Sequence, residues 1–159
     1  DVDAAARAID GKTAAIMVEP IQGEGGVNLP SEGYLKGLKD ICKKAGLLLI
    51  FDEVQVGMGR TGKLFAYENY DVTPDVMTLA KGLAGGVAIG AMLATEEVAS
   101  AFTPGTHAST FGGNPLATAA GLAALKTILE QGVLDNCRAV GEYLFTRLAA
   151  LKPKYPCIK

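Results

Sequence analysis

The 159-residue sequence contains no tryptophan, a single histidine (His107) and only three cysteines, Cys42, Cys137 and Cys157. Scattered and odd in number, the cysteines indicate neither a disulfide framework nor a zinc knuckle; reduced thiols in the cytoplasm are the default expectation. A surplus of either charge is also missing, since 15 basic residues meet 17 acidic ones for a net charge of −2. Without a Lys/Arg cluster, nucleic acid and an anionic membrane are poor candidates for the main partner. The longest apolar run, Val87–Ala94, is far shorter than the ~20 residues a membrane span requires. Nor does Asp1-Val2-Asp3 open the chain as a secretory leader would, with basic and then apolar residues.

Glycine, by contrast, is abundant. There are 20 in 159 residues, nearly twice the usual share of about 7%. They cluster between apolar runs, at Gly23 to Gly26, Gly57 to Gly62, Gly82 to Gly90 and Gly112-Gly113. That puts permissive backbone at strand ends, where α/β sheets gather their ligands. The chain starts without Met inside an expected helix, Asp1 to Ile9, and stops at Pro156-Cys157-Ile158-Lys159. We therefore expect one partial domain over residues 1–159.

Four apolar runs, Ala14–Val18, Leu47–Phe51, Val76–Ala80 and Val87–Ala94, read as strands. They are continuous rather than alternating, which predicts a mostly parallel sheet covered by helices on both faces. Between the first two, Tyr34, Leu35, Leu38, Ile41, Cys42 and Ala45 recur at helical spacing, with Ser31 expected as the cap and Gly46 as the stop. This is a βαβ unit. Short helices are expected over Leu64–Tyr70 and Thr95–Phe102; Asn114-Pro115 should open a longer one, and Val133–Leu151 another.

Three of the strands run into charge: Glu19 with Gln22 to Gly26, Asp52-Glu53-Val54-Gln55, and Lys81-Gly82. A carboxylate straight after Leu47–Phe51 is costly to leave uncompensated, so a cation should neutralise Asp52. A structural ion pair with Lys81 or Arg60 would satisfy that need. So would a more specific arrangement. A desolvated lysine attacks aldehydes, and a buried aspartate keeps a pyridine nitrogen protonated; together they are the protein's half of pyridoxal 5'-phosphate chemistry. The phosphate would need amides and hydroxyls, which Ser109-Thr110-Phe111-Gly112-Gly113-Asn114-Pro115 offers just before a helix start.

Glu19-Pro20-Ile21-Gln22-Gly23-Glu24-Gly25-Gly26, Phe51-Asp52-Glu53-Val54-Gln55 with Gly57-Met58-Gly59-Arg60-Thr61-Gly62, Ala80-Lys81-Gly82-Leu83 and the Ser109–Pro115 segment occur in this order. Together they resemble the class III (subgroup II) pyridoxal-phosphate aminotransferases. The resemblance runs from Ala14 to the helix at Pro115. The wording Met58 to Glu68, with Ile89-Gly90-Ala91-Met92-Leu93, favours the branch acting on N-acetylornithine over those acting on 4-aminobutyrate or ornithine.

The resemblance implies the large domain of a fold-type I enzyme whose upstream segment and downstream small domain lie outside this chain. It also implies transfer of a δ-amino group from N2-acetylornithine to 2-oxoglutarate, a step of arginine biosynthesis, in a homodimer with shared sites. Lys81 would form the Schiff base and act as base, and Asp52 would pair with the pyridinium nitrogen. Gln55 would bond the ring's phenolic oxygen and Val54 would pack beneath the ring. Thr110 would reach the phosphate in the neighbouring subunit, Ser109 would lie near the substrate, and Glu24 would neutralise a substrate-binding arginine in one half-reaction. Glu19 is expected to be a buttress, and Arg60, Thr61 and His107 to order loops. Relatives commonly carry proline at Ala88 and glycine at Ala108, so Ala108 must avoid positive φ or accept strain. The fragment alone is expected to turn over little substrate. Outside this class, the alternative is a non-catalytic α/β interaction module or inactive paralogue.

Overall fold

Parallel neighbours in a sheet require a crossover, and the first 52 residues supply one. In the computed structural model, which describes residues 1–158, strand β1 (Ala15–Val18) leads into helix α2 (Tyr34–Ala45) and then strand β2 (Leu48–Asp52), preceded by helix α1 (Val2–Ala8). β1 and β2 pair in parallel, as do β2 and β3 (Val76–Leu79). Strand β4 (Ala91–Ala94) pairs antiparallel with β3, giving the order β1-β2-β3-β4. Helices α3 (Glu96–Ala99), α4 (Pro115–Glu130) and α5 (Val133–Leu151) follow.

The expected helices form, with several boundaries corrected; the Thr95–Phe102 helix shortens to Glu96–Ala99. Gly46 ends α2 in the left-handed region at φ 68°, its N–H donating to the Cys42 carbonyl. Ser31 does not cap its start: the helix begins at Gly33, φ 75°, and no side chain satisfies its first amides. Ser31 lies two residues before that cap position, too early for its hydroxyl to take a capping role, and its carbonyl accepts the Tyr34 N–H in a preceding turn. Asn114 does cap α4, its Oδ1 accepting the Ala117 N–H at 3.0 Å, with Pro115 in the first turn. The Leu64–Tyr70 segment narrows to a 3₁₀ turn at Ala66–Asn69.

Strand parity sorts the side chains. Leu49 and Phe51 point toward α2 and are fully buried with Leu35, Leu38, Cys42 and Val72. Register partners place Met17, Ile50, Asp52, Val76 and Thr78 on the opposite face. On that face Met17 is 56% exposed and Met92, the partner of Thr78, 49%. α4 packs against the Lys81–Ala84 turn after β3 and against α5, whose Arg138 reaches the Gly62 carbonyl in the loop after β2.

Candidate active site

The C-terminal ends of β1, β2 and β3 each deliver a polar cluster. After β1, Gln22 and Asn28 exchange backbone hydrogen bonds (3.1 and 3.0 Å) and close the Gly23–Val27 loop. Glu19 Oε2 accepts the Gly23 N–H at 2.9 Å, which makes it the expected buttress. Gly23 is obligatory, because a Cβ there would fall 2.2 Å from the Gln55 Cγ. The loop therefore closes directly on the glutamine after β2.

After β3 the chain turns into a 3₁₀ segment, Lys81–Ala84. Lys81 itself adopts φ 44°, a left-handed conformation that a non-glycine residue holds only where its surroundings enforce it. Its Nζ donates to Gln55 Oε1 and lies 3.7 Å from Glu24 Oε1. Lys81, Gln55 and Glu24, drawn from three strand ends, thus meet. Two expectations need correction. The Lys81 side chain, at the start of the turn after β3, is 51% exposed in this chain rather than desolvated. No cation neutralises Asp52 among the described residues, whose ion pairs are Lys39–Asp75, Lys81–Glu24 and Arg138–Asp135. Asp52 Oδ1 instead accepts the Val54 N–H at 3.0 Å, so a local backbone amide satisfies it.

Asp52 also lines a cleft of about 550 Å³ at the ends of β1 and β2, with Met17, Glu19, Gln22, Asn28 and Tyr34 on its walls. That volume falls in the ordinary range for small-molecule sites. Beside Asp52, its register partner Thr78 buries an Oγ1 that finds no hydrogen-bond partner among the described residues. An acid and an orphaned hydroxyl on one face, three residues from the amide that holds the Lys81 amine, fit a polar aromatic aldehyde such as pyridoxal phosphate.

The remaining expected residues lie elsewhere. Val54 is half-buried next to Asp52. Ser109 and Thr110 sit in the exposed loop before α4, where Ser109 Oγ accepts the Gly112 N–H at 3.1 Å. His107 is in that loop against Phe102, ring edge to face at 6.2 Å. Ala108 is not among the positive-φ residues, so the missing glycine costs no strain there. Thr61 Oγ1 accepts from Asn69 Nδ2 at 3.1 Å, and the Arg60 carbonyl from the Cys137 thiol, in keeping with loop-ordering roles.

Sequence reasoning missed one residue, Glu53. It is the buried charged side chain, 1% exposed, and its oxygens accept the Ala66 and Tyr67 N–H groups at 2.6 and 2.7 Å. Burial pushes its pKa up, against those two hydrogen bonds. Strand alternation held the signal: if Asp52 faces away from α2, the next residue is directed toward the interior.

Comparison with known proteins agrees with this arrangement. The aminotransferase class-III family matches residues 1–159. The acetylornithine aminotransferase of Oceanobacillus iheyensis is 55% identical over 94% of this chain and 38% of its own length. That of Clostridium acetobutylicum is 52% identical over 99% and 41%. Among solved structures, the ornithine aminotransferase of Plasmodium yoelii superposes with a TM-score of 0.89 at 41% identity, covering 96% of this chain and 41% of that one. The acetylornithine aminotransferase of Elizabethkingia anophelis superposes with a TM-score of 0.88, also at 41% identity, covering 97% and 39%. The chain thus spans about two-fifths of the length of these relatives. It belongs to the class-III aminotransferases, a family of pyridoxal-phosphate-dependent enzymes.

Proposed function

We propose that this chain carries the cofactor-binding core of an acetylornithine-type aminotransferase, which passes the δ-amino group of N2-acetylornithine to 2-oxoglutarate in arginine biosynthesis. The observation that carries the reading is the meeting of Lys81 Nζ with Gln55 and Glu24, at the end of the strand whose Thr78 pairs with Asp52. When bound, pyridoxal phosphate supplies an aldehyde for an amine and a ring that draws electrons from the substrate carbon.

This chain's residues do the rest. Lys81 would present its amine to the aldehyde and, once released, would hold on Nζ the proton taken from the substrate carbon. The Glu24 carboxylate stabilises the charged amine while the site waits, and in the reaction neutralises a substrate-binding arginine from outside this chain. The Asp52 carboxylate would keep the ring nitrogen protonated, an effect greatest where negative charge builds up during reaction. Gln55 would bond the ring oxygen, Val54 would pack against the ring, and Ser109 would lie near the substrate. Thr110 serves the phosphate in a second subunit of a homodimer; the exposure of its loop, with Phe111 82% accessible, supports a role outside its own fold.

Borohydride reduction of the full-length protein loaded with pyridoxal phosphate, followed by peptide mapping, tests this reading. The pyridoxyl group is expected on Lys81, and its appearance on another lysine alone would refute the assignment. A coupled assay across acetylornithine, succinylornithine, ornithine and 4-aminobutyrate then ranks the donors. Ornithine is the second reading, favoured by the likeness to ornithine aminotransferase structures.

A further inference from the structure

The loop between β2 and the Ala66–Asn69 turn is held from two sides. On one, the buried Glu53 accepts the Ala66 and Tyr67 amides, and its own carbonyl accepts the Gly57 N–H at 2.9 Å. The fit is tight: a Cβ at Gly57 would lie 2.8 Å from the Glu53 carbonyl oxygen and 3.2 Å from Oε2. On the other side, Arg138 of α5 donates to the Gly62 carbonyl, and Gly59 lies against Ile128 and Leu134. Pinned between them, Met58 adopts φ 55°. Its Cβ would be 3.5 Å from a Cβ placed on Gly82, the residue following Lys81. The Glu53 N–H also donates to the Thr78 carbonyl at 3.0 Å, three residues ahead of Lys81.

Met58 and Lys81, non-glycine residues in the left-handed region on the two segments that approach at Gly82, need an environment that over-determines them. An ionisable side chain buried only to satisfy two amides is an expensive device, since a backbone carbonyl or a water would satisfy them more cheaply. The expense is understandable if the loop must not drift. We propose that Glu53 is a positioning residue for Lys81: its carboxylate clamps the Gly57–Phe65 loop so that Met58 supports the turn on which the lysine stands. The inference rests on the assignment of Lys81 as the aldehyde-reactive lysine and deepens it.

The test uses the full-length protein and Glu53→Gln, which keeps the shape but sets an amide NH₂ against a backbone N–H. Glu68→Gln is the comparator, because Glu68 Oε1 accepts the Phe65 N–H at 2.8 Å on the same turn but is exposed. At a temperature where far-UV dichroism is unchanged, the rate of reductive pyridoxyl labelling at Lys81 is expected to fall by about tenfold or more in Glu53→Gln and to stay within about twofold in Glu68→Gln. In the cofactor-free protein, amide hydrogen exchange over Gly82–Gly85 is expected to quicken in Glu53→Gln only. Wild-type labelling rates together with wild-type exchange in Glu53→Gln overturn the clamp, even if its melting temperature drops. Should Glu53→Gln not fold, Arg138→Met releases the loop from the α5 side, and unchanged exchange and labelling there overturn it equally. If the wild-type protein itself is not labelled at Lys81, the lysine assignment fails, and the exchange arm still decides whether Glu53 orders the turn.

Discussion

Asp75 shows how much one side chain contributes to the frame beneath the site. Its Oδ1 accepts from Lys39 Nζ at 2.6 Å, its Oδ2 accepts the Leu49 N–H at 2.8 Å, and its own N–H donates to the Leu49 carbonyl at 2.8 Å. It thereby fastens the start of β3 to β2 and to α2 together. Burial raises its pKa, but the Leu49 amide and the Lys39 ammonium outweigh burial and leave it below the ordinary aspartate value. A depressed folded-state pKa means stabilisation that is complete above the unfolded aspartate range, near pH 4, and lost as pH falls through the folded value. Asp75→Asn is expected to cost about 1–3 kcal/mol at pH 7, since it removes a partner from a part-buried pair. Urea unfolding at pH 7 and at pH 3 checks this; the gap between variant and wild type should shrink at the lower pH. At this same scale the motifs were informative about which residues gather, for Glu24, Gln55 and Lys81 do meet. They were silent on how each charge is satisfied. Asp52 takes a neighbouring amide rather than a cation, and a partner that lies two residues along the backbone leaves no mark in spacing or composition.

Among the elements, helix ends were legible wherever a local signal suffices. Asn114-Pro115 opens α4 and Gly46 closes α2, as cap chemistry requires. Asn114→Ala is expected to lower stability by about 1 kcal/mol. Thr95→Ala is the matched control, because Thr95 precedes α3 without a side-chain cap bond. Thermal unfolding of the two variants side by side separates them. The strand β4 illustrates the opposite case. Its apolar run begins at Val87, yet only Ala91–Ala94 forms strand. Ala91 pairs with Leu79, and beyond Leu79 the partner chain leaves the sheet for the Lys81 turn. Val87–Gly90 therefore has nothing to pair with, whatever its propensity. Edge length was decided by the neighbour.

At the scale of the molecule, the apolar surface is the conspicuous feature. Leu116, Leu122 and Leu129 on α4 and Tyr143, Leu144 and Phe145 on α5 are each more than half exposed. Exposed apolar area of this kind on a single chain marks an interaction surface or an aggregation liability. Produced as these 159 residues alone, the protein is expected to bind an apolar dye, to sediment above its 16.4 kDa monomer mass, and to show little or no transaminase turnover. Analytical ultracentrifugation and an assay with acetylornithine and 2-oxoglutarate check both halves. A monodisperse, dye-free monomer, or robust turnover, would contradict them. Among the described residues no helix is long and apolar enough to cross a membrane.

By itself the sequence determined the α/β alternation, the three polar clusters at strand ends and the chemical kinds of group they hold, because apolar periodicity, glycine placement and capping act over a few residues. Only the tertiary structure decided what those groups face. Strand parity and register turned Asp52 and Thr78 to one side and Phe51 to the other. The Gly57–Phe65 loop is held by Arg138 of α5 on one side and by Glu53 on the other, and its Met58 comes near Gly82, the residue after Lys81. Such contacts join segments up to about eighty residues apart, and nothing local in either partner encodes the meeting.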